Sequence, residues 1–231
     1  MRVACLLLSM ALAACGSSAP DDALFPLAGG HRWTYRVTTA FDESEPRQET
    51  LTFFGRGVET VAGEPAWRRH SDSGLDYWLR SDATGIYRVA AKGPLDRQPR
   101  KDEPRRYVLQ KPYAVGTQWQ ASTTAYVLER RNEVPRELSR VHPSLPMTYR
   151  IDALNQRVET QAGRFDGCLR VQGKAEIRLY VDAAFAYREI PLTTTEWYCP
   201  YVGLVKLERK EPSPSKFIVG GRLEMELTAW R

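Results

Sequence analysis

The sequence predicts an all-β, mainly antiparallel domain: a curved sheet or a half-open or closed β-barrel, built from two pseudo-repeats and with little helix. Three observations predict it. Apolar and polar residues alternate with period two along successive runs. Turn signals such as Ala62-Gly63, Thr84-Gly85, Ala162-Gly163 and Gly220-Gly221 separate those runs. No segment carries a long, clean helical period. The strands number about ten to twelve, mostly joined as hairpins.

Residues 1–14 read as a secretory leader. Arg2 supplies the positive end, Val3 to Leu12 the apolar stretch, and Ala13 and Ala14 the small residues of a cleavage site. The stretch is too short to span a membrane as a helix. Leu12-Ala13-Ala14-Cys15 resembles the lipobox of bacterial lipoproteins. The resemblance implies that Cys15 becomes the first mature residue and carries acyl chains such as palmitate, several of which anchor far better than one. Ordinary secretion with cleavage near Ala14 is the competing reading. Gly16 and Ser17 follow, with no Asp. In a Gram-negative host this resembles lipoproteins sent to the outer membrane, facing the periplasm. Residues 15–25 form the tether, and Gly16 to Asp22 holds only Gly, Ser, Ala, Pro and Asp, a flexible composition. From Cys15 to Phe25 the chain reaches about 33–36 Å at most.

Residues 26–231 form a single β domain. In its first strand Trp33, Tyr35, Val37 and Phe41 fall opposite Thr34, Arg36 and Thr38. Ile177, Leu179 and Val181 alternate with Glu176, Arg178 and Tyr180, and Leu223, Met225 and Leu227 with Arg222, Glu224, Glu226 and Thr228. Such runs have one dry and one wet face, as antiparallel sheets do. The helical candidates, Glu129–Val134 and Arg136–Val141, are short and broken by proline. Residues 129–147 hold Pro135, Pro143 and Pro146 and read as an insertion loop. Arg97 to Arg106, the densest basic stretch, also holds Pro99, Asp102, Glu103 and Pro104, which suits a solvated loop better than a binding patch.

Three motifs occur twice in the same order. Pro26-x-Ala28-x-Gly30-x-x-Trp33 recurs at Pro112, Ala114, Gly116 and Trp119; Val58-Glu59-Thr60-x-Ala62-Gly63 recurs from Val158 to Gly163. Gly85-Ile86-Tyr87-Arg88-Val89, preceded by Trp78, resembles Gly203-Leu204-Val205-Lys206-Leu207, preceded by Trp197. The displacements are 86, 100 and 118 residues, so the second copy has grown by insertion. They suggest two related β-units, about residues 26–111 and 112–231. Strand-turn-strand grammar shared by all β-proteins is the competing explanation.

Composition excludes several classes. With 42% hydrophobic and 26% charged residues in 231, the chain is neither disordered nor collagen-like. The formal charge of +5 comes from 33 basic and 28 acidic residues of interspersed sign, which supports solubility more than nucleic-acid binding. The three histidines, His31, His70 and His142, have no partner at metal-ligand spacing, so no metal is expected. Zincin, nucleophile-elbow, phosphate-loop and C-x-x-C motifs are missing, and no cofactor is expected. Asp42/Glu43 and Glu224/Glu226 read as solvated carboxylates, and Ser71-Asp72-Ser73-Gly74 as a polar turn. No enzyme is expected, and no catalytic residue is named.

Of four cysteines, Cys5 leaves with the leader and Cys15 takes lipid. Cys168 and Cys199 remain in a compartment where disulfides persist, and they are expected to pair. Such a bridge contributes roughly 3–4 kcal/mol in the chain-entropy model. Two buried free thiols are the alternative. Six Trp, 11 Tyr and 7 Phe make aromatics prominent. Trp33, Trp119 and Trp197 each sit at a repeat motif, as core residues or as the lining of a pocket for an apolar ligand.

Gly30-x-x-Trp33-x-Tyr35, Ala162-Gly163-x-Phe165-x-x-Cys168 and Tyr198-x-Pro200-x-Val202-Gly203-x-Val205 resemble bacterial envelope lipoproteins of the domain-of-unknown-function type. Several such families look related to the lipoprotein-carrier fold, a curved antiparallel sheet over an apolar cavity. Tyr201 stands where that pattern would have a small residue. The resemblance implies location and fold and supplies no catalytic residues. The expected role is non-catalytic binding or envelope assembly by a membrane-anchored lipoprotein whose partner is an apolar ligand or an envelope protein. Alternatives are a carrier of lipid or acyl chains in a concave cavity and, behind it, an enzyme with a dispersed site.

Overall fold

Residues that alternate in polarity must alternate in direction once the backbone is extended, and the sheet buries one set of them. The computed structural model describes residues 22–42, 44–131, 134–182, 186–213 and 215–231. The leader, Cys15 and the tether as far as residue 21 lie outside the described residues. The strands are β1 (Arg32–Phe41), β2 (Arg47–Val61), β3 (Glu64–Ser71), β4 (Asp76–Asp82), β5 (Gly85–Lys92), β6 (Arg100–Gln110) and β7 (Gln118–Thr123). Then come β8 (Glu129–Arg130), the single-turn helix α1 (Leu138–Val141), β9 (Leu145–Thr160), β10 (Gly163–Asp182), β11 (Ala186–Cys199), β12 (Gly203–Glu211), β13 (Ile218–Val219) and β14 (Gly221–Trp230).

Twelve strands make one antiparallel sheet in the order β6-β5-β4-β3-β2-β1-β14-β12-β11-β10-β9-β7, and β8 pairs with β13 separately. The sheet is an up-and-down meander whose first and last strands pair, from Trp33 opposite Trp230 to Phe41 opposite Gly221. It curls into a nearly closed barrel. The remaining edges, β6 and β7, face each other, and the Arg106 Nε donates to the Ser122 carbonyl at 2.8 Å across the seam. The main core draws on strands from both wings of the sheet, including Leu79, Ile86 and Leu109 of β4–β6 and Met147, Ile151, Val171, Leu179 and Leu192 of β9–β11. A second cluster forms around Trp33, Tyr35, Val205, Leu227 and the cysteines, and a third around Ala66, Trp78 and Ala90.

The registers give the barrel two distinct ends. The terminal end carries the N-terminal segment, the last residue of β14 and the turns at 62–63, 83–84, 111–117, 161–162 and 200–202. Phe25 and Leu27 enter the core there. The far end carries the 124–144 and 212–220 segments, which bury Ala125, Leu128, Leu138 and Ile218 in the same core.

The repeated motifs occupy corresponding places in the meander. The Pro-x-Ala-x-Gly-x-x-Trp copies lead into β1 and β7, the Ala-Gly copies turn β2 into β3 and β9 into β10, and the third pair opens β5 and β12. The hairpin registers differ by one residue. Val61 pairs with Glu64 around Ala62-Gly63, both at positive φ, whereas Thr160 pairs with Gly163 around Gln161-Ala162.

Three local expectations are corrected. Arg100 to Arg106 is not a loop but the outer half of β6. An edge strand tolerates Pro104 and dense charge because its outer side makes no ladder, and both features discourage edge pairing. In the first helical candidate Glu129 and Arg130 are instead strand, paired with Val219 and Ile218, residues 132 and 133 lying outside the described residues, and the second candidate shrinks to Leu138–Val141. The insertion loop ends before Leu145, because Leu145, Met147, Tyr149 and Ile151 alternate into the core despite Pro146.

Gly85, which opens the third motif, has φ +138°, and a Cβ there would lie 2.2 Å from the Leu109 carbonyl of β6. Gly63 also has positive φ, but a Cβ would meet open space. Gly63→Ala should therefore cost about 1–2 kcal/mol from backbone strain alone, and Gly85→Ala roughly 2–5 kcal/mol because the strands must also part. Urea unfolding compares the two, and equal losses would disprove the close approach of β5 and β6.

Candidate functional site

The residues singled out in the sequence fall into two places. Cys168 and Cys199 are joined, with S–S 2.01 Å, across adjacent strands β10 and β11. Trp33 is buried in the cluster around them, and its indole N–H donates to the Val202 carbonyl at 2.7 Å. Trp197 is half-buried against the same cluster, with the Lys206 ammonium 5.4 Å from its ring. Trp119 lies apart in the main core, stacked on Tyr149 at 5.7 Å and 11°. Its indole N–H is buried without a hydrogen-bond partner among the described residues.

Arg69 of β3 locks the N-terminal segment onto the terminal end. Its guanidinium lies 3.9 Å from the Phe25 ring centroid and 4.1 Å from that of Trp33, and it donates to the Pro26 carbonyl at 2.6 Å. Burial lowers its pKa to about 10, against the pull of the Tyr35 and Tyr198 phenols. Two π faces and a carbonyl thus replace the counter-ion that a buried cation ordinarily needs. The Asp22 carboxylate accepts from the Leu27 N–H at 2.9 Å, and the Ala23 carbonyl accepts from Tyr201 N–H at 2.7 Å.

Inside the barrel the sheet converges charged and phenolic groups. Arg209 and Glu211 alternate on β12 at 1% and 0% side-chain exposure, with Nε to Oε1 at 2.8 Å. The Glu211 carboxylate accepts the backbone N–H groups of Tyr126, Val127 and Leu128 at 2.9–3.1 Å. Arg209 also donates to the Thr124 carbonyl at 2.9 Å. The pair fastens the inserted 124–128 segment inside the far end.

Thr194, Glu196 and Tyr198 share one face of β11. The Tyr198 hydroxyl donates to the Glu196 carboxylate at 2.5 Å, and the Thr194 hydroxyl donates at 3.3 Å. Burial pushes the Glu196 carboxyl above its ordinary pKa, against the opposing pull of those bonds and of Arg106 and Arg209. Burial also raises the Tyr149 and Tyr198 phenols. Arg106 of β6 reaches the Tyr149 hydroxyl of β9 at 3.5 Å. Tyr126 retains 52% exposure, yet it lies within electrostatic reach of Tyr77, Arg106 and Tyr149. Tyr126 belongs to the inserted segment and the others to β4, β6, β9 and β11, which the curl of the sheet and the meeting of its β6 and β7 edges bring together.

The outer networks are consumed by structure. Asp76 accepts from Arg68 Nε at 2.8 Å and faces His70 Nδ1 at 2.9 Å, while Glu59 accepts from Arg68 and from the Trp78 indole. In the Ser71–Gly74 turn the two serine hydroxyls bond each other, and Asp72 accepts the Thr52 N–H. No cluster of three metal-ligating side chains occurs among the described residues. Two open depressions, about 540 and 680 Å³, are lined by other residues than Trp33, Trp119 and Trp197. Arg69, Glu196, Arg209 and Glu211 escaped sequence reasoning, because each sits in an ordinary alternating strand, and the segments that bury them, such as Pro26 over Arg69 and residues 124–128 over Arg209 and Glu211, lie 43 to 85 positions away or on other strands.

No family model and no curated protein matches the chain. Its fold is similar to a crystal structure provisionally described as a lipoprotein from Parabacteroides distasonis, at 13% identity, with 90% of this chain and 98% of that chain covered and a TM-score of 0.44. It is also similar to a protein from Bacteroides fragilis provisionally described as exported and having a YmcC-like fold, at 14% identity, 90% and 98% coverage and a TM-score of 0.40.

Glu211→Gln should cost about 3–5 kcal/mol, because Arg209 would stay buried without its counter-charge. The double variant Arg209→Met with Glu211→Leu should not recover stability, since three amides would still lose their acceptor. Recovery in denaturant unfolding would reduce the site to a simple ion pair. A pH effect arises at Asp82, the last residue of β4. Burial would raise its pKa, but bonds from the Thr84 hydroxyl and amide, Tyr87 and Arg105 outweigh that and hold it at about 2. Its folded pKa lies below its ordinary 3.8, so its stabilisation is complete above that value and is lost as pH falls through about 2. Asp82→Asn should therefore flatten the stability profile between those limits, and an unchanged acid slope would count against it.

Proposed function

We propose that this chain is a lipid-anchored lipoprotein of the cell envelope, acylated at Cys15 after removal of residues 1–14. Its barrel has a non-catalytic role in binding or envelope assembly. In a Gram-negative host the anchor lies in the outer membrane and the barrel in the periplasm. The observation that carries the reading is the Cys168–Cys199 disulfide, in a chain whose leader closes on Leu12-Ala13-Ala14-Cys15. Such bonds persist in oxidising compartments outside the cytosol. The non-catalytic part rests on how the ionisable groups are used: Glu211 is committed to Arg209 and three amides, and Asp76 to Arg68 and His70. We favour an envelope protein over an acyl chain as the partner. The concave side of the sheet carries Arg106, Glu196, Arg209 and Glu211, and Arg209 and Glu211 are already covered there by residues 124–128, so polar groups and a docked segment stand where a hydrocarbon chain would need an apolar lining.

Cys15→Ala should move the exported protein from the membrane fraction to the soluble fraction, while the wild-type mature chain should begin at an acylated Cys15 by mass spectrometry. A soluble wild-type protein cleaved near Ala14, or membrane retention of Cys15→Ala, would overturn the anchor.

A further inference from the structure

We infer that the terminal end of the barrel is a membrane-contact face, with Tyr201 and Trp230 seated in the lipid interface and Arg32 and Arg56 beside them. The inference rests on the lipid-anchor reading and adds an orientation to it. Its first support is length. The chain is fixed to the barrel from Asp22 onward, by Asp22 to Leu27, Ala23 to Tyr201 and Arg69 to Pro26. Seven residues from Cys15 to Asp22 reach at most about 23–25 Å. The ten residues of β1 run about 33 Å along the strand. Even tilted by about 40° the barrel wall spans about 25 Å, before the far-end segments 124–144 and 212–220 are added. The tether cannot bring an acyl anchor to the far end.

The second support is the surface found where the tether leaves. Tyr201 is 58% exposed and has φ +66°, a left-handed conformation unfavourable for a bulky side chain. Its N–H holds the Ala23 carbonyl, so its backbone fixes the exit of the tether while its ring stays in solvent. Trp230, 42% exposed, pairs across strands with Trp33, whose indole bonds Val202 next to Tyr201. Tyr and Trp are the residues that settle at bilayer interfaces. Arg32 and Arg56 are exposed and flank one ring, Phe54, at 5.5 and 5.0 Å. Neither has a carboxylate partner among the described residues, whereas the neighbouring acids Glu64, Glu159 and Glu226 are paired with Arg80, Arg164 and Arg36. Two uncompensated cations beside two exposed aromatics suit an anionic lipid surface.

The acylated full-length chain, reconstituted in phosphatidylethanolamine and phosphatidylglycerol vesicles, tests this. Spin labels on Tyr201→Cys and, at the far end, Lys216→Cys report collisions with lipid-soluble oxygen and with an aqueous nickel complex. The oxygen-to-nickel ratio should be several-fold higher at 201 than at 216. Independently, brominated lipids should quench part of the tryptophan fluorescence, and Trp230→Phe should remove that quenched part; this reading stands even if the Tyr201 variant does not fold. Equal ratios at the two labels, or quenching undiminished in Trp230→Phe, overturn the orientation and leave the anchor intact. Failure of the acylated chain to float with vesicles overturns the anchor itself.

Discussion

The pairing of β1 with β14 is the constraint on which the architecture depends. A meander of twelve strands left open would expose two long edges, each a row of unpaired amides and carbonyls. Joining the first strand to the last removes one such gap through a continuous ladder from Trp33 and Trp230 to Phe41 and Gly221. It also joins β1–β6 and the later strands into one twelve-stranded sheet and sets the start of β1 beside the end of β14. The remaining gap lies between β6 and β7, where Arg106 spans the seam to the Ser122 carbonyl and charged residues with Pro104 blunt the edge.

A sheet of this size cannot fill its interior with strand side chains alone, and the chain supplies two further pieces. At the terminal end, Phe25 and Leu27 enter the core beneath an arginine held between aromatic rings. At the far end, the 124–144 segment enters and is fastened by the Glu211 carboxylate, which takes three amides that would otherwise be buried without acceptors. Both devices place a charge inside the protein and satisfy it from one strand and one inserted segment. The charges therefore specify where each segment docks, which apolar packing alone leaves loosely determined.

The alternation of Trp33, Tyr35 and Val37, and of Ile177, Leu179 and Val181, was legible because a strand with one buried face repeats every two residues regardless of its neighbours. The disulfide was legible because Cys168 and Cys199 are the two cysteines outside the leader-like start. Arg100 to Arg106 was misread because charge and proline mark a loop and an edge strand alike. Arg69, Arg209, Glu196 and Glu211 were not legible, since a buried ion and a solvated one look the same until the partner strand is known. Arg209 meets Thr124 across 85 positions, and Arg69 meets Pro26 across 43.

By itself the sequence determined the local periods and turns, and it carries the leader-like start closing on Leu12-Ala13-Ala14-Cys15 from which we propose export. These are properties of neighbouring residues, and short-range sterics and hydrophobicity suffice to express them. Tertiary structure alone decided that β1 meets β14, that two segments enter the core at the two ends of the barrel, which charges are buried, and that Tyr201 and Trp230 stay exposed at the end where Asp22 lies. Those outcomes depend on closing loops that run from 43 positions, between Arg69 and Pro26, to 194, between Thr228 and Thr34, and their free energy lies in contacts between parts of the chain that carry no record of each other.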